Sequence, residues 1–191
     1  MAVETPVHPH SAGFWPIVLK TAIVHTATYF VMGLLALYLF DYATVFTQGP
    51  EAAYMRPTTD PWVAAGPLFQ PIRGVLFGIV FYLLREVLFA KPRGWLIAWA
   101  MLAIVGIINP FAAAQGSIEG LVYLSTPLSS QFGLGLIEVY GQSLLLALGT
   151  FYWVRQPANR WLTWGFSIVA TLAVAASLAG IFLAPLAKTV A

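Results

Sequence analysis

The sequence predicts an all-α integral membrane protein, a bundle of about five transmembrane helices with its N-terminus in the cytoplasm and its C-terminus outside. Three observations carry that reading. Of the 191 residues, 60% are hydrophobic and only 8% are charged, whereas ordinary soluble domains carry about 25% charged residues. Five segments are long and apolar enough to cross a bilayer, which takes about 20 residues. None of the five shows the two-residue alternation of a barrel strand, and only helices or closed barrels satisfy the backbone in lipid.

The spans fall at roughly 15–40, 69–90, 94–114, 132–154 and 161–186. A short polar tail of about 14 residues precedes the first, and the rest of the chain, 15–191, reads as one domain. The tail holds Glu4 and no basic residue. The apolar run behind it exceeds the 7–15 residues of a signal-peptide core, so the first span is expected to stay uncleaved. The third span has a competing reading, because Asn109-Pro110 could make it re-entrant and leave four crossings.

Connections near 90–93 and 155–160 are tight, and those near 41–68 and 115–131 are long. Placing the tight ones in the cytoplasm collects Lys20, Arg85, Lys91, Arg93, Arg155 and Arg160 there and leaves Arg56, Arg73 and Lys188 outside, the bias that orients membrane proteins. Tyr38 and Tyr42 leave the first span, Trp95 and Trp99 open the third, and Trp161 and Trp164 open the fifth, forming an interfacial belt. Asp60-Pro61 is a cap followed by a first-position proline, which predicts a short interfacial helix through Trp62 to Ala65. In GSIEGLVYLSTP, residues 116–127, Ser117 is predicted to cap a local helix over about 118–124. Glu119 then takes the second helical position, where the helix dipole favours a carboxylate.

Close packing of small residues holds helices together in lipid. Gly74 and Gly78 form a GxxxG pair, and Ala175/Ala179 and Ala176/Gly180 repeat the spacing near the C-terminus. These faces suit packing within the chain or against another subunit.

Charges at membrane depth are costly, about 2.5–3.5 kcal/mol each at a helix centre, so each calls for a role. By helical rise from the outer boundary, Arg73 lies about 6 Å deep and Glu138 about 9 Å. Gln142 shares a helix face with Glu138. The expected result is an outer-side polar cluster of Arg73, Asn109, Glu119, Glu138 and Gln142, serving either as a ligand site or as a buried ion pair that fixes helix register. On the inner side, counting from Lys20 puts His25 about 8 Å deep, beside Glu86 at about 6 Å. Those two could form a proton-responsive pair, the alternative being a histidine bonded to a backbone carbonyl.

Other chemistries are excluded or lack a motif. The chain has no cysteine, which removes disulfides and thiolate metal sites. Its net charge is +2 with the basic residues dispersed, so the footprint of a nucleic-acid binder is missing. Only one histidine lies in a span, whereas haem held between helices normally takes two axial ligands. His8 and His10 on the tail do not amount to a metal site. No nucleotide or hydrolase motif occurs, and the cofactor stays unknown. The reading is a non-catalytic subunit or scaffold of a membrane complex, its partners the lipid bilayer and other membrane chains or further copies of itself. A small transporter or ion-coupled binding protein with an outer-leaflet site is the alternative. A lipid-modifying enzyme using Glu119 or Glu138 is the least supported. The bacterial inner membrane is the expected location.

Overall fold

A computed structural model describes residues 13–190, with side chains through Phe182; the polar tail with His8 and His10, and the side chain of Lys188, lie outside the described residues. Every regular element among them is helical. Four helices have the length and apolar character to cross a membrane. These are α1 (Phe14–Leu39), α4 (Gly66–Leu83), α9 (Leu134–Arg155) with the short α8 (Leu128–Gln131) leading into it, and α10 (Arg160–Val190).

The third expected span differs. It begins at Gly94 as expected, but α6 (Gly94–Met101) passes into a π-helix, Leu102–Ile108, that stops at Asn109 rather than reaching 114. Pro110 has no N–H to continue the ladder, and Asn109 leaves helical geometry at φ −128° and ψ 49°. The second expected span also breaks, at Leu84, with a single turn α5 (Arg85–Leu88) behind it. There Arg85 Nη1 donates to the Tyr82 carbonyl, one of the orphan acceptors of a helix end.

Local caps follow the sequence. Asp60 accepts the Trp62 amide at 2.8 Å and Pro61 opens α3 (Pro61–Ala64). Ser117 accepts the Gly120 amide at 2.9 Å and opens α7 (Ile118–Tyr123). Asn159 Oδ1 accepts the Trp161 amide at 3.0 Å and so starts α10. One short helix, α2 (Tyr42–Gln48), follows α1 after Asp41, which adopts the left-handed conformation.

α1 is the hub. α4 and α9 run antiparallel along it, and α10 packs on α1, α3 and α4. On α4, Gly74 and Gly78 face backbone: a Cβ at Gly74 would lie 2.5 Å from Ala22 Cα, and one at Gly78 would lie 2.7 Å from Val18 Cα. The GxxxG pair is therefore spent inside the chain. Along α9, Lys20 Nζ donates to the Trp153 carbonyl at 2.9 Å, and Trp153 stacks on Phe166 of α10. Phe81, Leu88, Ala98, Leu102, Leu146 and Phe151 fill the core toward the tight turns. On α10, Gly180 lies against Ala64 and the Ser177 hydroxyl donates to the Ala64 carbonyl, whereas Ala175, Ala176 and Ala179 are exposed.

Two tests follow from this packing. Gly74→Ala should destabilise the fold by about 2–3 kcal/mol, because the methyl group overpacks against backbone. Gly165→Ala, whose Cβ meets nothing within 4 Å, should instead raise stability by about 0.5–1 kcal/mol; thermal melts of the two variants check both signs. The Trp62 amide bond to Asp60, ahead of the Arg56 guanidinium, holds the Asp60 carboxyl below the usual carboxylate range. Its cap therefore acts above that range and is lost as pH falls through the lowered value. Protection of the Trp62 amide in hydrogen exchange should fade on that descent and be missing throughout in Asp60→Ala.

Candidate functional site

The antiparallel register of α1 and α4 pairs Val18 with Gly78, Ala22 with Gly74 and His25 with Gln70. Because α1 starts at Phe14, His25 lies about 17 Å along a helix of about 39 Å, near its middle. It is 2% exposed, and its ring meets Phe77 edge-on at 5.0 Å between centroids.

Two glutamines hold the imidazole. Gln70 Oε1 lies 3.1 Å from Nε2, and Gln142 Nε2 lies 3.4 Å from Nδ1. Gln70 is fixed at both ends of its amide: Nε2 donates to the Gly66 carbonyl at 2.9 Å, and Oε1 also accepts Arg73 Nη1 at 3.4 Å. An oxygen facing Nε2 requires a proton there, and an amide N–H facing Nδ1 requires a lone pair. The network thus assigns His25 as the neutral Nε2–H tautomer.

One turn from Gln142, Glu138 Oε2 accepts the Tyr42 hydroxyl at 2.6 Å, a length expected when the acceptor is ionised. Burial first, and then the bond to Glu138, push the Tyr42 phenol up from its ordinary value, so it remains a donor at neutral pH. Glu138 Oε1 passes 3.9 Å from where a side chain on Gly33 would begin. Tyr29, between His25 and Gly33 along α1, rests its hydroxyl against Gly66.

Of the residues expected in the outer cluster, Arg73, Glu138 and Gln142 come together in one region with His25. Arg73 and Glu138 make no ion pair within 4 Å, since the pairs found among the described residues are Arg56–Asp60 and Arg85–Glu86. Asn109 is exposed at the end of the π-helix. Glu119 stays in the first turn of α7. His25 and Glu86 do not meet: Glu86 sits near the tight turn, 3.7 Å from Arg85, with its side chain 64% exposed. The Lys20 amine turns inward to the Trp153 carbonyl of α9, two residues from the end of that helix.

Sequence reasoning missed Gln70, which lies one turn before Gly74 on the face that packs on α1, and also Tyr42 as a Glu138 partner. It missed Gln131 as well. That side chain is 1% exposed and ties the α7 loop together through the Gly116 amide, the Thr126 hydroxyl and the Gly120 carbonyl. Both glutamines are uncharged, and Tyr42 reads only as part of the interfacial belt, so none of the three stands out in a search for charges.

The cluster offers one group of each charge, a neutral imidazole, two amides and two phenols. Neither ring nitrogen of His25 meets a hydroxyl; the hydroxyl that meets a carboxylate is that of Tyr42, on Glu138. Among the described residues no three His, Asp or Glu gather as metal ligands. No protein-family model, curated protein or solved structure matches this chain.

Replacing Gln70 by Leu strands the His25 donor and frees Arg73, and should cost about 1–3 kcal/mol. A double-mutant cycle of Gln70→Leu with His25→Leu should give a coupling of about 0.5–3 kcal/mol. Additive losses would mean that the bond contributes nothing.

Proposed function

We propose that this chain is a polytopic membrane protein acting as a non-catalytic subunit or scaffold of a membrane complex. It would lie in a bacterial inner membrane with its N-terminus and tight turns in the cytoplasm, and with other membrane chains or further copies of itself as partners. The supporting observation is the end of α6. Its 8 α-helical and 7 π-helical residues reach about 22 Å at most, short of a hydrocarbon core of about 30 Å. Beyond Ile108 the backbone is irregular, Phe111 is fully exposed, and Ala112, Ala113 and Ala114 are exposed as well. Irregular backbone at membrane depth is tolerated only where protein covers it or where it lines a watery cavity. The stretch is apolar, which favours protein cover, and a neighbouring chain against Phe111 would complete the fifth crossing.

A second reading draws on the same helix. Broken helices beside a polar site at the bilayer midplane are a transporter feature, and π-segments recur at functional sites. In that case the irregular stretch would face water.

A photoreactive benzoyl-phenylalanine at position 111, activated in native membranes, should give a discrete protein adduct whose mass identifies another chain or a second copy. Adducts to lipid alone would overturn the subunit reading. The chain has no cysteine, so Phe111→Cys supplies a single thiol. Its rapid modification by a membrane-impermeant maleimide in intact membranes would support the transporter reading instead.

A further inference from the structure

Arg73 and Glu138 present an unusual pair of facts. Each is a charged side chain on a membrane-length helix, one on α4 and one on α9, and neither has an opposite charge from the described residues within 4 Å. Arg73 is exposed and has only the shared Gln70 oxygen at 3.4 Å. Glu138 is half-buried and holds the Tyr42 hydroxyl on one oxygen. On α1, Tyr29 falls one turn from His25, which shares Gln70 with Arg73, and one turn from Gly33, which Glu138 approaches; its own hydroxyl rests against Gly66. Gln142, one turn from Glu138, hydrogen-bonds the His25 ring.

We propose that this convergence of α1, α4 and α9 is a binding site for a zwitterion, a molecule carrying an acidic group and a protonated amine a few ångströms apart. The acidic group meets the Arg73 guanidinium and the Tyr29 hydroxyl, and the amine meets the free oxygen of Glu138. The charge pattern selects this class. An anion alone would satisfy Arg73 but face Glu138 across one phenol, and a cation alone would meet the converse repulsion. A zwitterion leaves both side chains paired and the site neutral, which suits charges at membrane depth.

Two sources supply that chemistry. Free amino acids or phosphoethanolamine would arrive from water, and phosphatidylethanolamine would arrive from the bilayer. The surroundings of Arg73 accommodate the lipid as well, because Phe69, Ile72 and Leu76 beside it are exposed and apolar. The proposal holds whether the chain works as a subunit or as a transporter.

The test uses the intact chain purified in detergent, with melting followed by its tryptophan fluorescence. Glycine and phosphoethanolamine are the soluble zwitterions, and acetate, ethyl phosphate and ethylamine are the singly charged controls. Native mass spectrometry then compares nanodiscs of phosphatidylethanolamine with nanodiscs of phosphatidylglycerol. A soluble zwitterion should raise the melting temperature by roughly 5–10 °C at about 100 times its dissociation constant, with no rise from the controls. Retention of one phosphatidylethanolamine, without any response to soluble zwitterions, would identify the lipid as the source. Arg73→Gln and Glu138→Gln should each abolish the response, and Tyr29→Phe should weaken it about tenfold. Should the charge variants fail to fold, the comparison of ligands on the unaltered chain still decides. Equal stabilisation by ethyl phosphate and phosphoethanolamine, or no response to any zwitterion, soluble or lipid, overturns the proposal.

Discussion

The distance between α1 and α4 governs the rest of the molecule. Glycine at 74 and 78 lets the two backbones touch at Ala22 and Val18, an approach that any side chain would forbid. That contact fixes the register, and the register puts the Gln70 amide at the His25 ring. Gln70 in turn holds Arg73, and His25 draws in Gln142 from α9. A shift of one residue along α4 would turn Gln70 about 100° away from α1, and the polar groups of three helices would lose one another. Small-residue packing and polarity between the helices are thus one device here: the former supplies the precision that the latter requires.

The parts legible in the sequence are those whose cause is local. Ser117 and Asp60-Pro61 start helices because a cap needs only its own next few residues. Long apolar runs became α1, α4, α9 and α10 because hydropathy is summed over the segment itself. The irregular parts have causes that composition does not carry. Nothing in the residues of Leu102–Ile108 distinguishes a π-helix from an α-helix, and nothing announces the break at Leu84, whereas Asn109-Pro110 does mark where the third run could stop and leave four crossings.

The candidate site was legible in its members more than in its arrangement. Depth along a helix can be counted from a sequence, but the direction a side chain takes around the axis relative to a neighbouring helix cannot. Arg73, Glu138 and Gln142 were therefore found without their connections. The partners of His25 are Gln70 and Gln142 rather than Glu86, because depth counted from Lys20 carries no information on which neighbouring helix a ring faces. This lysine supplies a donor to the Trp153 carbonyl near the end of α9, a good use of an ammonium near a helix C-terminus.

The fixed orientation of the Gln70 amide gives the cluster a direction. Its oxygen receives both the guanidinium and the imidazole N–H, while its nitrogen is committed to Gly66. Turning the amide over would set NH₂ against Arg73, donor against donor, so the cation forbids the reversed arrangement. The hydrogen-bond chain from α4 through His25 to α9 has one polarity instead of two of equal energy, and the imidazole cannot pass its proton from one nitrogen to the other without breaking it. Arg73 thereby acts as a latch on the tautomer of a ring it does not touch.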